Sequence, residues 1–184
     1  MTIKFRDTLH LLIFLLALLI IAACGERSSD VSVIPEPLEL KVNNGNFTIG
    51  ENTEIIVDSN DPKVKEVADY FAEQLNFVSG HSVKITNPSE KNEIKNSIIF
   101  TDNNLDSSLG DEGYSLISNR NKIILTGTPH GLFYGVQTLF QLLPKEIFSK
   151  NIVPNISWSI PSVEIKDVPR FKWRGMHLDV GRHM

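Results

Sequence analysis

Hydrophobic and polar positions follow several periods along the chain, and each period names a different element. Leu11–Ala23 is an unbroken apolar run of 13 residues, LLIFLLALLIIAA. A helix rises about 1.5 Å per residue and needs about 20 residues to cross a bilayer core, so this run has the length of a secretory signal rather than a permanent span. Beyond a polar stretch the pattern becomes that of a folded layer. Leu38–Val42 (LELKV) alternates as a half-buried strand does. Asn43-Asn44-Gly45 tolerates positive φ, so Asn46–Ile49 is predicted to return as the second arm of a hairpin. Thr53–Val57 reads as another strand. Asp61-Pro62 supplies an N-cap oxygen and a first-turn proline. Val64, Val67, Ala68, Phe71, Leu75 and Val78 then trace one face of a helix that stops at Gly80. Ser82–Thr86 and Ser97–Thr101 are short β-branched strands, and Gly113–Ile117 and Lys122–Thr126 flank Ser118–Asn121 as an antiparallel hairpin. A second helix is predicted from about Pro129 to Leu143, closed by Pro144. Its Gly131 and Gly135 share a face. Glycine there costs up to about 1 kcal/mol relative to alanine, which a helix accepts where its backbone presses on a sheet. Near the end of the chain Met176, Leu178 and Val180 alternate with His177, Asp179 and Gly181, as in a strand with one polar-lined face.

Several strands with two helices and mixed connections make an α/β (α+β) layer, a mixed sheet with both helices on one face. A length of 184 residues leaves room for one ordinary domain. Composition changes this picture little: 41% hydrophobic and 22% charged residues of both signs are those of a globular chain. The formal net charge is −4, and setting aside residues 1–23 leaves sixteen basic against twenty-one acidic side chains. That balance, without any basic run, argues against nucleic acid as a partner. Among candidate chemistry in this stretch, His81 and His130 are isolated and read as surface or capping residues, and no paired His/Ser/Asp pattern, phosphate loop or metal-ligand spacing occurs.

The apolar run follows a weakly positive start carrying Lys4 and Arg6, and it ends Ile21-Ala22-Ala23-Cys24. This ending resembles the bacterial lipobox, which implies that Cys24 is lipidated and becomes the new N-terminus. One acyl chain anchors only marginally, and the multiply acylated cysteine implied by the resemblance meets that need. Gly25–Ser32 is then a tether. The expectation is an exported lipoprotein that meets the membrane only through its lipid, on the periplasmic or cell-surface face, with the outer membrane favoured. Cys24 is also the only cysteine, which excludes an intrachain disulfide and a site built on several thiolates.

The last residues concentrate ionisable groups. Arg174, Asp179, Arg182 and His183 lie in or beside the final predicted strand, and groups of this kind are costly to bury unless paired. The residues alone leave two readings, an ion-pair network at a domain junction or a ligand site. Pro169-Arg170-Phe171-Lys172-Trp173-Arg174-Gly175-Met176-His177-Leu178-Asp179-Val180-Gly181-Arg182-His183 resembles the opening of the catalytic barrel of family 20 glycoside hydrolases, the β-N-acetylhexosaminidases. Gly131–Leu143 is similar to the last helix of the small domain that precedes that barrel, and Ile34-Pro35-Glu36-Pro37 to its start. Gly181 stands where the family often has alanine, and Met184 where an aromatic is usual.

The resemblance implies a small α/β domain at residues 33–160, after a signal at 1–24 and a tether at 25–32, followed at 161–184 by the start of a truncated (β/α)₈ barrel whose first strand is about Lys172–Val180. It implies that Arg174 binds ring hydroxyls of the terminal sugar, for which a planar guanidinium suits neighbouring hydroxyls. Asp179, Arg182 and His183 are implied to shape the floor of the site. The implied reaction is release of terminal β-linked GlcNAc or GalNAc from glycans, by the substrate-assisted route among retaining glycosidases, without cofactor or metal. The Asp-Glu pair of that chemistry belongs to a later barrel strand; Asp111-Glu112, between Gly110 and Gly113, reads as a turn. On this reading the chain is an N-terminal fragment, inactive alone, whose residues beyond about Ser162 are poorly packed. The alternatives are a non-catalytic surface lipoprotein or carbohydrate-binding module built on the small domain, and a glycosidase of another family that carries a similar one.

Overall fold

In the computed structural model, residues 31–88, 95–178 and 181 are described. Seven strands form one mixed sheet: β1 Glu39–Thr48, β2 Glu54–Asp58, β3 Lys84–Thr86, β4 Ser97–Thr101, β5 Tyr114–Ser118, β6 Lys122–Gly127 and β7 Ser159–Asp167. Their order across the sheet is β1-β7-β5-β6-β4-β2-β3. The β6-β4-β2-β3 half is parallel, and β1, β7 and β5 extend it as antiparallel neighbours.

Two α-helices lie among the described residues, α1 Pro62–Ser79 and α2 Pro129–Leu142. The Asp61 carboxylate accepts from the Lys63 amide at 2.9 Å and Pro62 occupies the first turn. Gly80, at φ 71°, ends α1 by donating to the Asn76 carbonyl. Thr128 caps α2 in the same way, its hydroxyl accepting from the Gly131 amide. Both helices pack on one face of the sheet. Register fixes that face: Val57, Phe100, Leu125, Leu116, Ile165 and Leu40 are neighbours in successive strands, and all belong to or pack against the same core as Phe71, Leu75, Leu132 and Leu139. The glycines of α2 are explained here. A Cβ on Gly135 would lie 2.4 Å from the Leu125 side chain, and one on Gly131 would lie 2.0 Å from the Gly113 carbonyl. The opposite face carries a row of isoleucines, Ile56, Ile99, Ile124 and Ile117, which runs on into Glu164 and Lys41, paired at 3.1 Å.

Three sequence expectations change. Leu38–Ile49 is not a hairpin. Glu39–Thr48 is one strand paired with β7, whose register jumps between Val42 opposite Val163 and Asn46 opposite Pro161. Asn43-Asn44-Gly45 forms a bulge rather than a turn, with Gly45 at φ 103°. The gain is burial of Phe47 against Ile160, which a return onto Leu38–Val42 would have forfeited. The small domain runs on past residue 160 to the end of β7, because Ser159–Asp167 lies inside the sheet between β1 and β5; Ser162, Val163 and Ile165 are buried. Lys172–Leu178 forms no strand: it has no ladder partner among the described residues, and Trp173 and Met176 are 95% and 85% exposed. The expected looseness of the tail therefore begins after Asp167, not Ser162.

Candidate functional site around Arg174

The two ends of the domain meet on α2. Gln141 receives the Ile34 amide at 2.8 Å and donates to the Ile34 carbonyl at 2.9 Å, so one side-chain amide holds the lead-in as a neighbouring strand would. Asp167, the last residue of β7, accepts from the Leu38 amide at 3.1 Å. The chain then leaves the sheet through Val168-Pro169 and crosses the exposed side of α2. It encloses there a cleft of about 500 Å³, with Ile34, Pro35, Tyr134, Gln137, Phe171 and Arg174 among its walls.

Arg174 is fixed at the rim of this cleft by three groups. Its Nη2 donates to Glu112 Oε1 at 2.5 Å and to the Tyr134 hydroxyl at 3.1 Å, its Nη1 donates to the Phe171 carbonyl at 2.6 Å, and its guanidinium carbon stands 5.7 Å from the Tyr134 ring centroid. The Tyr134 hydroxyl in turn donates to Glu112 at 3.3 Å. The Glu112 carboxylate, and secondarily the Tyr134 hydroxyl, hold the Arg174 guanidinium above its ordinary basicity. Beneath the cleft Tyr114 and Thr138 share a buried hydrogen bond of 2.6 Å. Burial, reinforced by Asp167 and opposed by Thr138, pushes the Tyr114 phenol up to about 12.

Asp111 and Glu112 face different partners. Asp111 lies 2.9 Å from the His130 ring, and its carbonyl accepts from the Thr128 hydroxyl, which ties the turn before β5 to the start of α2. The pair is a structural turn and not an acid–base couple. His130 is thus a surface side chain, paired with Asp111. Of the predicted site residues, Arg174 lies at the rim of this cleft, bound to Glu112, Tyr134 and the Phe171 carbonyl. Asp179, Arg182, His183 and the lipidation candidate Cys24 lie outside the described residues. Glu112, Tyr134 and Gln141 were missed as partners of the chain ends. A polar stripe Tyr134–Gln137–Gln141 on an otherwise apolar helix was the available signal. Among the described residues no group of three His, Cys, Asp or Glu side chains is arranged to hold a metal ion, and no helix is long and apolar enough to cross a membrane.

Residues 30–168 match the model of glycosyl hydrolase family 20, domain 2. The chain belongs to this family. The match stops one residue after β7, in agreement with the boundary set by the sheet. Among family 20 relatives, the chain is 34% identical to a β-hexosaminidase of Porphyromonas gingivalis over 176 residues, which are 90% of this chain and 22% of that protein. It superposes on the family 20 β-N-acetylhexosaminidase of Streptomyces coelicolor A3(2) with a TM-score of 0.65 and 31% identity, covering 77% of this chain and 27% of that one. It superposes likewise on the N-acetyl-β-hexosaminidase of Streptomyces plicatus, solved with Thio-NAglucal, with a TM-score of 0.67 and 29% identity, covering 82% and 29%. The chain thus spans less than a third of the length of each of these relatives.

Proposed function

We propose that this chain is the leading part of an exported β-N-acetylhexosaminidase that removes terminal β-linked GlcNAc or GalNAc from glycans. The observation that carries the reading is the 34% identity, over nine-tenths of the chain, to a protein named β-hexosaminidase. In this reading the small domain is a scaffold, a (β/α)₈ barrel follows it, and a barrel Asp-Glu pair performs the substrate-assisted reaction: the aspartate orients the substrate acetamide and the glutamate protonates the leaving oxygen. Arg174 donates to hydroxyls of the terminal sugar, with Asp179, Arg182 and His183 shaping the floor. Upstream, the 13-residue apolar run and Ala22-Ala23-Cys24 support export and acylation of Cys24, so that the enzyme acts at the membrane surface on the periplasmic or cell-surface side.

The test is hydrolysis of a chromogenic β-N-acetylglucosaminide by residues 25–184 alone and by the same chain continued with the coding sequence that follows. Activity is expected only in the continued protein. There, Arg174→Ala is expected to lower kcat/KM by about 10- to 150-fold, the equivalent of losing hydrogen bonds to a charged donor worth about 1.5–3 kcal/mol. A continued, folded protein without hydrolysis of either β-GlcNAc or β-GalNAc substrates would refute the reading. For the anchor, labelled palmitate is expected to enter the wild-type protein and not Cys24→Ala.

A further inference from the structure

The end of the layer where α1 and α2 stop is finished by the loop between α2 and β7. Lys145–Phe148 is a single turn of 3₁₀ helix, and the chain then passes the end of α1 before it enters β7 at Ser159. Three contacts fix this loop. Ile147 is fully buried, its carbonyl accepts from Gln74 Nε2 at 2.5 Å, and the Val153 amide donates to the Val78 carbonyl at 2.8 Å. Between these points Ser149 closes on Asn151, its hydroxyl donating to the Asn151 carbonyl at 2.8 Å and accepting from the Asn151 amide at 3.1 Å. A loop held this firmly still turns two large apolar side chains to solvent, Phe148 at 65% exposure and Ile152 at 63%. The charge beside them is of the sign that is in the minority elsewhere. Lys145 and Lys150 flank Phe148 with only Glu146 against them, and neither lysine is in an ion pair among the described residues. Fixed apolar side chains with unpaired lysines beside them suit an anionic lipid surface: the apolar groups enter the boundary between headgroups and acyl chains, and the ammonium groups stay among the phosphates.

The path of the chain into the fold says which surface lies within reach. Val31 packs against the core and Val33 is buried in it. Ile34 is held by Gln141 in the last turn of α2, four residues before Lys145, so the lead-in arrives at the same end of the layer as the loop. Six residues, Gly25–Asp30, separate Cys24 from Val31. Seven steps of extended chain span at most about 25 Å. A lipid on Cys24 therefore keeps this end of the domain within that distance of a bilayer. We infer that Phe148 and Ile152, flanked by Lys145 and Lys150, form a second membrane contact, which lays this end of the domain on the bilayer that carries the Cys24 lipid and holds the domain in one orientation. This rests on the reading that Cys24 is acylated.

A fluorophore at either end of the layer separates contact from mere tethering. Residues 25–184 retain the whole compact unit that begins at Val31 and lack the single native cysteine. A polyhistidine segment in place of Cys24 holds them on vesicles of phosphatidylcholine with about one-third phosphatidylglycerol and a trace of nickel-chelating lipid, so the result does not depend on acylation. One cysteine is introduced at a time and labelled with nitrobenzoxadiazole: Ile152→Cys in the loop, and Ser107→Cys at the opposite end, where β4 gives way to β5. The label at 152 is expected to brighten at least about twofold, to shift to the blue and to be quenched by nitroxide-labelled lipid, and the label at 107 to change in none of these ways. No response at 152, or equal responses at both positions, would overturn the inference. So would loss of the response at 152 in the chain continued with its downstream coding sequence. As a second variant, Phe148→Ser with Lys145→Glu and Lys150→Glu is expected to leave the circular dichroism of residues 25–184 unchanged and to abolish the brightening at 152; undiminished brightening in that variant counts against the contact. Incorporation of palmitate at Cys24 is scored separately. Palmitate without a response at 152 leaves the anchor standing and removes the contact, and a response without palmitate does the reverse.

Discussion

Three residues show how narrowly single positions are constrained. Gly131 and Gly135 differ in what a methyl group would strike: the backbone carbonyl of Gly113 in one case and the side chain of Leu125 in the other. Leucine can change rotamer and a backbone carbonyl cannot. Gly135→Ala is therefore expected to cost at most about 1–2 kcal/mol, strain partly offset by the roughly 1 kcal/mol gain in helix propensity, and Gly131→Ala about 3 kcal/mol or more. Urea unfolding of the two variants checks the order. Tyr114 gives a pH-dependent prediction. Its protonated form is favoured by the fold, with a pKa near 12 against an ordinary value of 10. The phenol therefore contributes stability that is complete below pH 10 and is lost as pH rises from 10 through 12. Tyr114→Phe removes the bond to Thr138, is expected to cost about 1 kcal/mol at pH 7, and should flatten the alkaline loss of stability measured in urea between pH 9 and 11.5.

At the scale of elements, most of the fold was legible because period and punctuation agreed. Asp61-Pro62 and Gly80 bracket α1, and Val64, Ala68, Phe71, Leu75 and Val78 are all buried as their spacing required. Asp61→Ala is expected to cost about 1 kcal/mol in thermal or chemical unfolding, as loss of such a cap does. Local pattern failed where pairing decided the outcome. Asn43-Asn44-Gly45 can make a turn or a bulge, and which of them forms depends on β7, more than a hundred residues away. Lys172–Leu178 has the alternation of a strand, but a strand exists only beside another strand, and the described residues offer it none. The site divides in the same way. Arg174 stood out by its chemistry, whereas Glu112, Tyr134 and Gln141 acquire their roles from tertiary proximity that spacing does not encode.

Across the whole molecule, one core joins both helices to one face of the sheet, so the unit from Val31 onward should unfold in a single cooperative step. Its two tryptophans report on different regions: Trp158 is buried in the core and Trp173 stands in solvent. In residues 25–184, Trp158→Phe should abolish the fluorescence change on unfolding, whereas Trp173→Phe should leave its midpoint superimposed on the circular dichroism transition. A Trp173 emission shifted to the blue in the longer protein would report burial of the segment after β7.

The pairing of first and last strands has a mechanical consequence. Glu39 lies opposite Lys166, and Thr48 opposite Ser159, so the two ends of the domain emerge from the same end of one antiparallel ladder. Tension applied between Ile34 and Val168 would pull that ladder apart rung by rung, like a zipper, instead of shearing all its bonds at once. The clasp of Gln141 on Ile34 and of Asp167 on Leu38 would take the load first. The parallel half of the sheet would carry little of it. The domain is built to yield under a pull between its two ends at the β1–β7 seam while α1, α2 and the remaining strands stay folded.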